Sequence, residues 1–300
     1  MSWYAVESLD DALAETQALL LPFDADTWLR LAVVAMLAGL SPPQTPAVSW
    51  EVPPQAVTEY ADVVTDPAFV AAALAVATAA VGVGILFAAV GAVMEFVLVD
   101  ALRSRHVRVL GPFRDRLGPG LRVFVLRAAV TLAVLLAGAG VAAPVFLALT
   151  TGTALPLLAG VVTVPLLFAV AASGALVAEF TTAFVVPLMA EYGVGVFEGW
   201  RRFWPTLRAE WRQFAAYVLV KLVLLFGAGI VFSLAGAIIV APAGLVLFAG
   251  TVTPVAAVAV AVAALVGIVV LAAASVPVVS YLRYHSLCTL DASPAPFTLR

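Results

Sequence analysis

A chain of 300 residues in which 64% are hydrophobic and 11% charged has too few ionic groups to keep a folded surface of this size in water, where soluble domains carry about a quarter. Its mean hydropathy of +1.13 points to a bilayer as solvent, and its net charge of −3 leaves no basic excess for nucleic acid. A single cysteine, Cys288, excludes an internal disulfide and any multi-cysteine metal site.

No Asp, Glu, Lys or Arg occurs between Arg30 and Glu51, Asp66 and Glu95, Arg127 and Glu179, or Lys221 and Arg283. A hydrocarbon core of about 30 Å takes about 20 helical residues, so the gap after Asp66 holds one crossing and the gaps after Arg127 and Lys221 hold two each. Backbone groups must be satisfied inside lipid, which leaves helices or a closed barrel. Stretches such as Ala71 to Val81 and Ala256 to Ala264 lack the apolar–polar alternation of barrel strands. The expected fold is therefore an all-α, polytopic transmembrane bundle of about six spans, a single domain over residues 1–300.

In chain order, residues 3–21 read as an amphipathic helix at the membrane surface. Val6, Leu9, Leu13 and Leu20 form its apolar stripe, with Glu7, Asp11 and Glu15 away from it. The start, Met1 to Asp11, has no basic residue and lacks the positive region of a secretory signal. After Pro22, the group Asp24, Asp26 and Thr27 supplies N-cap candidates for a short first span from Trp28 to Leu40. Residues 41–66, rich in proline and acids, read as an exposed loop. The second span runs from Pro67 to Val99. Arginines from Arg103 to Arg127 then surround Gly111-Pro112 and Gly118-Pro119-Gly120. Spans three and four follow at 121–149 and 156–189. A second basic segment, 200–214, leads into span five, with a kink expected at Pro242, and span six ends near Tyr281.

The excess of arginine in 103–127 and 200–214 places both segments in the cytoplasm. Counting spans outward then puts segment 1–26 and the tail 283–300 inside and the acidic loop 41–66 outside, in the cell membrane. A weak internal repeat relates Glu95-Phe96-Val97 to Ala183-Phe184-Val185, and Val278 to Leu290 echoes it, which suggests three helical hairpins joined on the cytoplasmic side.

Few residues carry chemistry. His285 and Cys288 share a helical face, but two ligands make no metal site, and both are expected to be hydrated in the tail. His106 lies among arginines. The pairs Gly82/Gly84, Gly138/Gly140 and Gly193/Gly195 complete no nucleotide-binding loop and are read as close helix packing. No cofactor is implied. From Arg201 to Phe214, helical spacing sets Phe203, Leu207, Trp211 and Phe214 opposite Arg201, Arg208 and Arg212, the pattern of an interfacial helix whose arginines meet anionic lipid headgroups. Four charges fall inside or beside spans. Glu179, eleven residues from Ala190, lies ~16 Å deep and Lys221, nine beyond Arg212, ~14 Å, so these two are expected to pair. Glu95 and Arg127 would repeat the arrangement nearer the surface.

The runs Gly199-Trp200-Arg201-Arg202-Phe203-Trp204 and Tyr281-Leu282-Arg283-Tyr284 resemble the membrane domain attached to some glycerophosphodiester phosphodiesterases, and stand-alone six-helix membrane proteins of haloarchaea. In that family the phosphodiesterase chemistry belongs to a separate soluble domain, so the resemblance implies no such activity here. Fourteen arginines against one lysine fit a halophile. The leading expectation is a non-enzymatic membrane protein, a scaffold or a carrier of a lipid or small apolar solute, with membrane lipids, a membrane-protein partner or a second copy as candidate associates. The alternative is an intramembrane enzyme acting on a lipid headgroup through Glu95, Asp100 or the Arg103–Arg116 cluster.

Overall fold

The computed structural model describes residues 3–39, 66–248, 253–295 and 297–298, and among them there are helices and no strand. Two helices, α1 (Tyr4–Leu20) and α2 (Ala25–Gly39), precede α3 (Pro67–Ser104). A short helix α4 (Leu110–Asp115) leads to α5 (Leu117–Thr151), and a 3₁₀ turn (Leu155–Ala159) opens α6 (Gly160–Phe180). That helix passes through a π turn (Thr181–Val185) into α7 (Val186–Tyr192). Helix α8 (Val196–Ala209) then precedes α9 (Trp211–Phe248) and α10 (Pro254–Asp291).

Among the described residues five segments are long and apolar enough to cross a membrane: α3, α5, the α6–α7 unit, the first part of α9, and α10. That is the build of a multi-pass membrane protein. Two of these spans start on the same device. The Asp66 side chain accepts from the Ala68 N–H at 2.8 Å with Pro67 behind it, and Thr253 caps Ala256 at 3.2 Å with Pro254 behind it. A hydrogen-bonding cap followed by proline at the first helical position needs no earlier N–H partner and starts the helix sharply. Gly152 and Gly193, at φ +67° and +64°, end two others in the left-handed conformation that glycine adopts freely.

The helices pack as three hairpins, α2 with α3, α5 with α6, and α9 with α10. Their core lies at one end, where α4 and α8 make the connections. It is built from the second helix of each hairpin: Gly91–Leu102 of α3, Thr181–Met189 across the π turn and α7, and Ser275–Leu290 of α10. Away from this basic end the hairpins part. Residues 67–87 of α3 are exposed on all sides, and the most apolar stretches of α3, α5 and α6 bury none of their residues within the protein.

Several expectations need correction. The segment expected as a first span starts three residues earlier, at Ala25, and its described part runs for 15 residues, about 22 Å, to Gly39. It inserts beside the packed ends of α3 and α10, with Leu37 O against Gly91 and Gly39 against Val279. Leu40 and the loop 41–65 lie outside the described residues. The buried face of α1 is the mostly small-residue row Ala5, Ser8, Ala12, Thr16, Leu19 and Leu20; of the expected stripe Leu20 is buried and Leu9 half-buried, while Val6 and Leu13 are 51% and 48% exposed. Small side chains win this face because α1 lies close against α10. Residues 283–290, expected in a hydrated tail, continue α10 and are buried, because no helix-breaking residue falls among them and their polar members find protein partners, Arg283 on α3 and His285 and Thr289 on α1. Two of the three expected glycine pairs meet no neighbour within the chain: a Cβ at Gly82, Gly84, Gly138 or Gly140 would meet nothing within 4 Å, whereas one at Gly195 would lie 3.6 Å from Arg122 Nη1. Close approach occurs at Gly91, Gly120 and Gly174, where a Cβ would lie 2.8 Å from Leu37 O, 2.5 Å from Val93 and 2.8 Å from Val130. Helix α9 continues through Pro242 to Phe248.

Candidate functional site

Each of the five spans sends one charged side chain to a common place at the packed end. Glu95 of α3 is 2% exposed and takes Arg127 of α5 on Oε1 at 3.1 Å and Arg283 of α10 on Oε2. Arg127 also feels the Glu179 carboxylate of α6, and Glu179 Oε1 receives Lys221 Nζ of α9 at 3.3 Å and the Tyr217 hydroxyl at 2.8 Å. Lys221 Nζ donates to Leu282 O at 3.4 Å, one residue from Arg283. The charges alternate along a row, Arg283, Glu95, Arg127, Glu179, Lys221, and the Lys221 bond to the Leu282 carbonyl brings the row back to the α10 backbone beside Arg283, so the five side chains form a ring whose two end members are both cations.

Thr182 fills its middle. Its hydroxyl accepts from Arg127 and its carbonyl accepts from Arg283 Nη1 at 2.9 Å. The carbonyl is free for a reason written in the sequence. In the π register Val186 N–H turns to Thr181 O, and the next donor in line for Thr182 O would come from residue 187, a proline without an N–H. A backbone acceptor buried with no partner is costly, and the Arg283 guanidinium supplies the missing donor. The turn itself is tied by Thr181, whose hydroxyl donates to Val177 O at 2.6 Å and accepts from Trp200 Nε1 at 3.1 Å.

Below the ring lies an aromatic layer. Phe184 stacks on Phe203 at 5.1 Å and meets Phe214 and Tyr217 edge-on at 5.2 and 4.8 Å, which fixes α8 and α9 against the π turn. Tyr217 in turn stacks on His285 at 5.4 Å. His285, expected to be hydrated, is fully buried, with Nε2 2.8 Å from Ala5 O and, among the described residues, no partner for Nδ1. Cys288 is buried one turn further on. Among the described residues no group of three or more His, Cys, Asp or Glu is placed to hold a metal.

The pairs drawn from the sequence are thus in contact, Glu179 with Lys221 and Glu95 with Arg127. Sequence reasoning missed Arg283 and Thr182. Arg283 was set at the flank of span six, because the end of an apolar run was taken for the end of burial. Pro187 was the available signal for Thr182. Asp100 and the Arg103–Arg116 cluster, the alternative catalytic set, are engaged with one another and with neighbouring elements. Arg116 grips both Asp100 oxygens at 2.9 and 3.0 Å, Arg103 pairs with Glu191, and Arg105 pairs with Glu15 at 2.6 Å. Arg108 and Arg114 are exposed, and His106 is exposed with Nδ1 2.8 Å from Ser104 O.

The segment Arg201–Phe214 is two helices rather than one, broken at Glu210 (φ −109°, ψ 31°). The break turns Trp211 outward to 61% exposure, while Phe203 and Phe214 are buried. Arg201, Arg208 and Arg212 are all exposed; Arg201 contacts Glu198 at 2.9 Å and Arg212 lies over the Trp211 ring at 5.6 Å.

Residues 3–300 match DUF7544, a family of unknown function. The chain belongs to that family. The match makes no link to the phosphodiesterase-associated membrane domain or to haloarchaea. No curated protein and no solved structure matches the chain.

Proposed function

We propose that this protein is a non-catalytic scaffold of the cell membrane, with its packed, basic end toward the cytoplasm and its parted apolar helices engaging lipid or the spans of a partner or second copy. The observation that carries this reading is the ring. A carboxylate that does chemistry needs a face open to substrate, whereas Glu95 is buried between two arginines and Asp100 is gripped through both oxygens. Charges spent on one another in this way hold helices in register. Arg201, Arg208 and Arg212 face outward at the same end, where anionic headgroups would meet them. The positive-inside bias supports the orientation. The resemblance of residues 199–204 and 281–284 to a phosphodiesterase-associated membrane domain fits, since there too the chemistry resides elsewhere.

A carrier of a lipid or small apolar solute is the second reading. It is favoured by a shallow groove on α9 lined by Leu222, Leu225, Phe226, Gly229, Ile230 and Ser233. The deciding experiment compares Glu95→Gln with the parent protein in detergent and in phospholipid vesicles. The scaffold reading expects a large fall in thermal stability and no lipid conversion by either protein. Phospholipid turnover by the parent, lost in a variant of unchanged stability, would replace the scaffold with the enzyme.

A further inference from the structure

Helix α1 is attached to the packed end differently from every span. Along most of its length its buried face is made by small or polar side chains, Ala5, Ser8, Ala12 and Thr16, and large apolar burial is confined to Leu19 and Leu20 at its C-terminal end. What holds it is a short set of polar contacts: Ser8 Oγ to Thr289 Oγ1 at 2.8 Å, Ala5 O to His285 Nε2 at 2.8 Å, Tyr4 N–H to Gln213 Oε1 at 3.1 Å, and Glu15 to Arg105. Beneath it lies a polar path inward, from His285 through the stacked Tyr217 to Glu179 and Lys221 of the ring. The outer face carries Glu7, Asp10 and Asp11 and no basic residue, the opposite of the Lys- and Arg-rich faces that rest on anionic membranes. The protein, and not the lipid surface, keeps α1 in place.

One atom argues that this seat opens. His285 Nδ1 is buried with no hydrogen-bond partner among the described residues. A buried polar atom without a partner raises the free energy of the closed form, and it regains a partner as soon as water reaches it. The same water would hydrate Ala5 O, Ser8 and Thr289, so lifting α1 exchanges protein contacts for solvent ones at small cost. We infer that α1 is a detachable lid, which in its closed position keeps water from His285 and the stacked Tyr217 and in its open position admits it. The chain Leu21–Asp24 between α1 and α2 is the hinge. This goes beyond the scaffold reading, and its test is independent of lipid binding.

Hydrogen exchange on the full-length protein in detergent reads the lid directly. Residues 4–20 should exchange on the order of 100-fold faster than 92–99 and 183–189, as a separate opening unit. Maleimide labelling of Cys288, corrected with the denatured protein, should follow the rate of 4–20. Replacing Thr289 by Val removes the Ser8 contact. It should speed exchange of 4–20 about 5-fold, the worth of one ordinary hydrogen bond, and leave 92–99 unchanged. Equal protection of 4–20 and 92–99 in the parent protein would overturn the lid. Equal acceleration of both segments in Thr289→Val would do the same, because α1 would then open only with the whole bundle.

Discussion

Glu95 is the residue on which the ring turns, because two guanidinium groups depend on one carboxylate. Glu95→Gln keeps the shape, removes the charge and leaves Arg127 and Arg283 facing each other. Removing one partner of a buried pair costs about 3–5 kcal/mol, so thermal unfolding in detergent should move down by many degrees. Glu179, 31% exposed at its side chain, is less critical. A double-mutant cycle with Glu179→Gln and Lys221→Met should give a coupling of about 1–2 kcal/mol, and a value near zero would reduce the contact to proximity. Outside the spans, Asp24 accepts from Thr27 N–H at 3.0 Å and from its hydroxyl at 2.6 Å, and these bonds hold its carboxyl below the ordinary carboxylate range. A depressed folded value means the contribution is present above the unfolded pKa of about 4 and is lost as pH falls through the folded one. Asp24→Ala should therefore loosen the first turn of α2 at neutral pH, read by exchange of residues 25–28, and the difference should vanish in strong acid.

At the scale of elements, glycines separate contact from composition. Gly120→Val would drive a side chain into Val93 and should cost about 1–3 kcal/mol, whereas Gly82→Ala and Gly84→Ala meet open space and should be neutral in the same thermal assay. Both kinds of glycine look alike in an apolar run, which is why the sequence suggested the wrong ones. Helix positions and hairpin partners were legible because charge-free gaps and arginine-rich connections follow from the bilayer itself. Depth alone brought Glu179 to the level of Lys221, since rise per residue is fixed. Facing was not legible. In α1 the sequence favoured the large apolar stripe, but close packing on α10 selected the row that begins Ala5, Ser8, Ala12. The end of α10 was misplaced for a related reason: polar residues such as Arg283, His285 and Thr289 read as a hydrated tail until their partners on α1, α3 and α9 are known.

The whole molecule has a rigid end and an open one, and they call for different experiments. Changing Arg201, Arg208 and Arg212 together to Gln should leave thermal stability nearly unchanged, since all three are exposed, and should lower the amount of anionic lipid that copurifies, measured by mass spectrometry. Unchanged lipid content would remove these residues from any headgroup role.

One charge from each span also fixes an order of events during synthesis. Glu95 and Arg127 leave the ribosome long before Arg283, and the second half of the Glu95 clamp arrives only with the last helix. Until then the nascent protein holds ionic groups in lipid that are only partly neutralised, a state that quality-control proteases recognise through its instability. On this geometry the last helix would act as a completion signal. Chains stopped before residue 283 should be degraded while full-length ones accumulate, so biogenesis itself would count the spans.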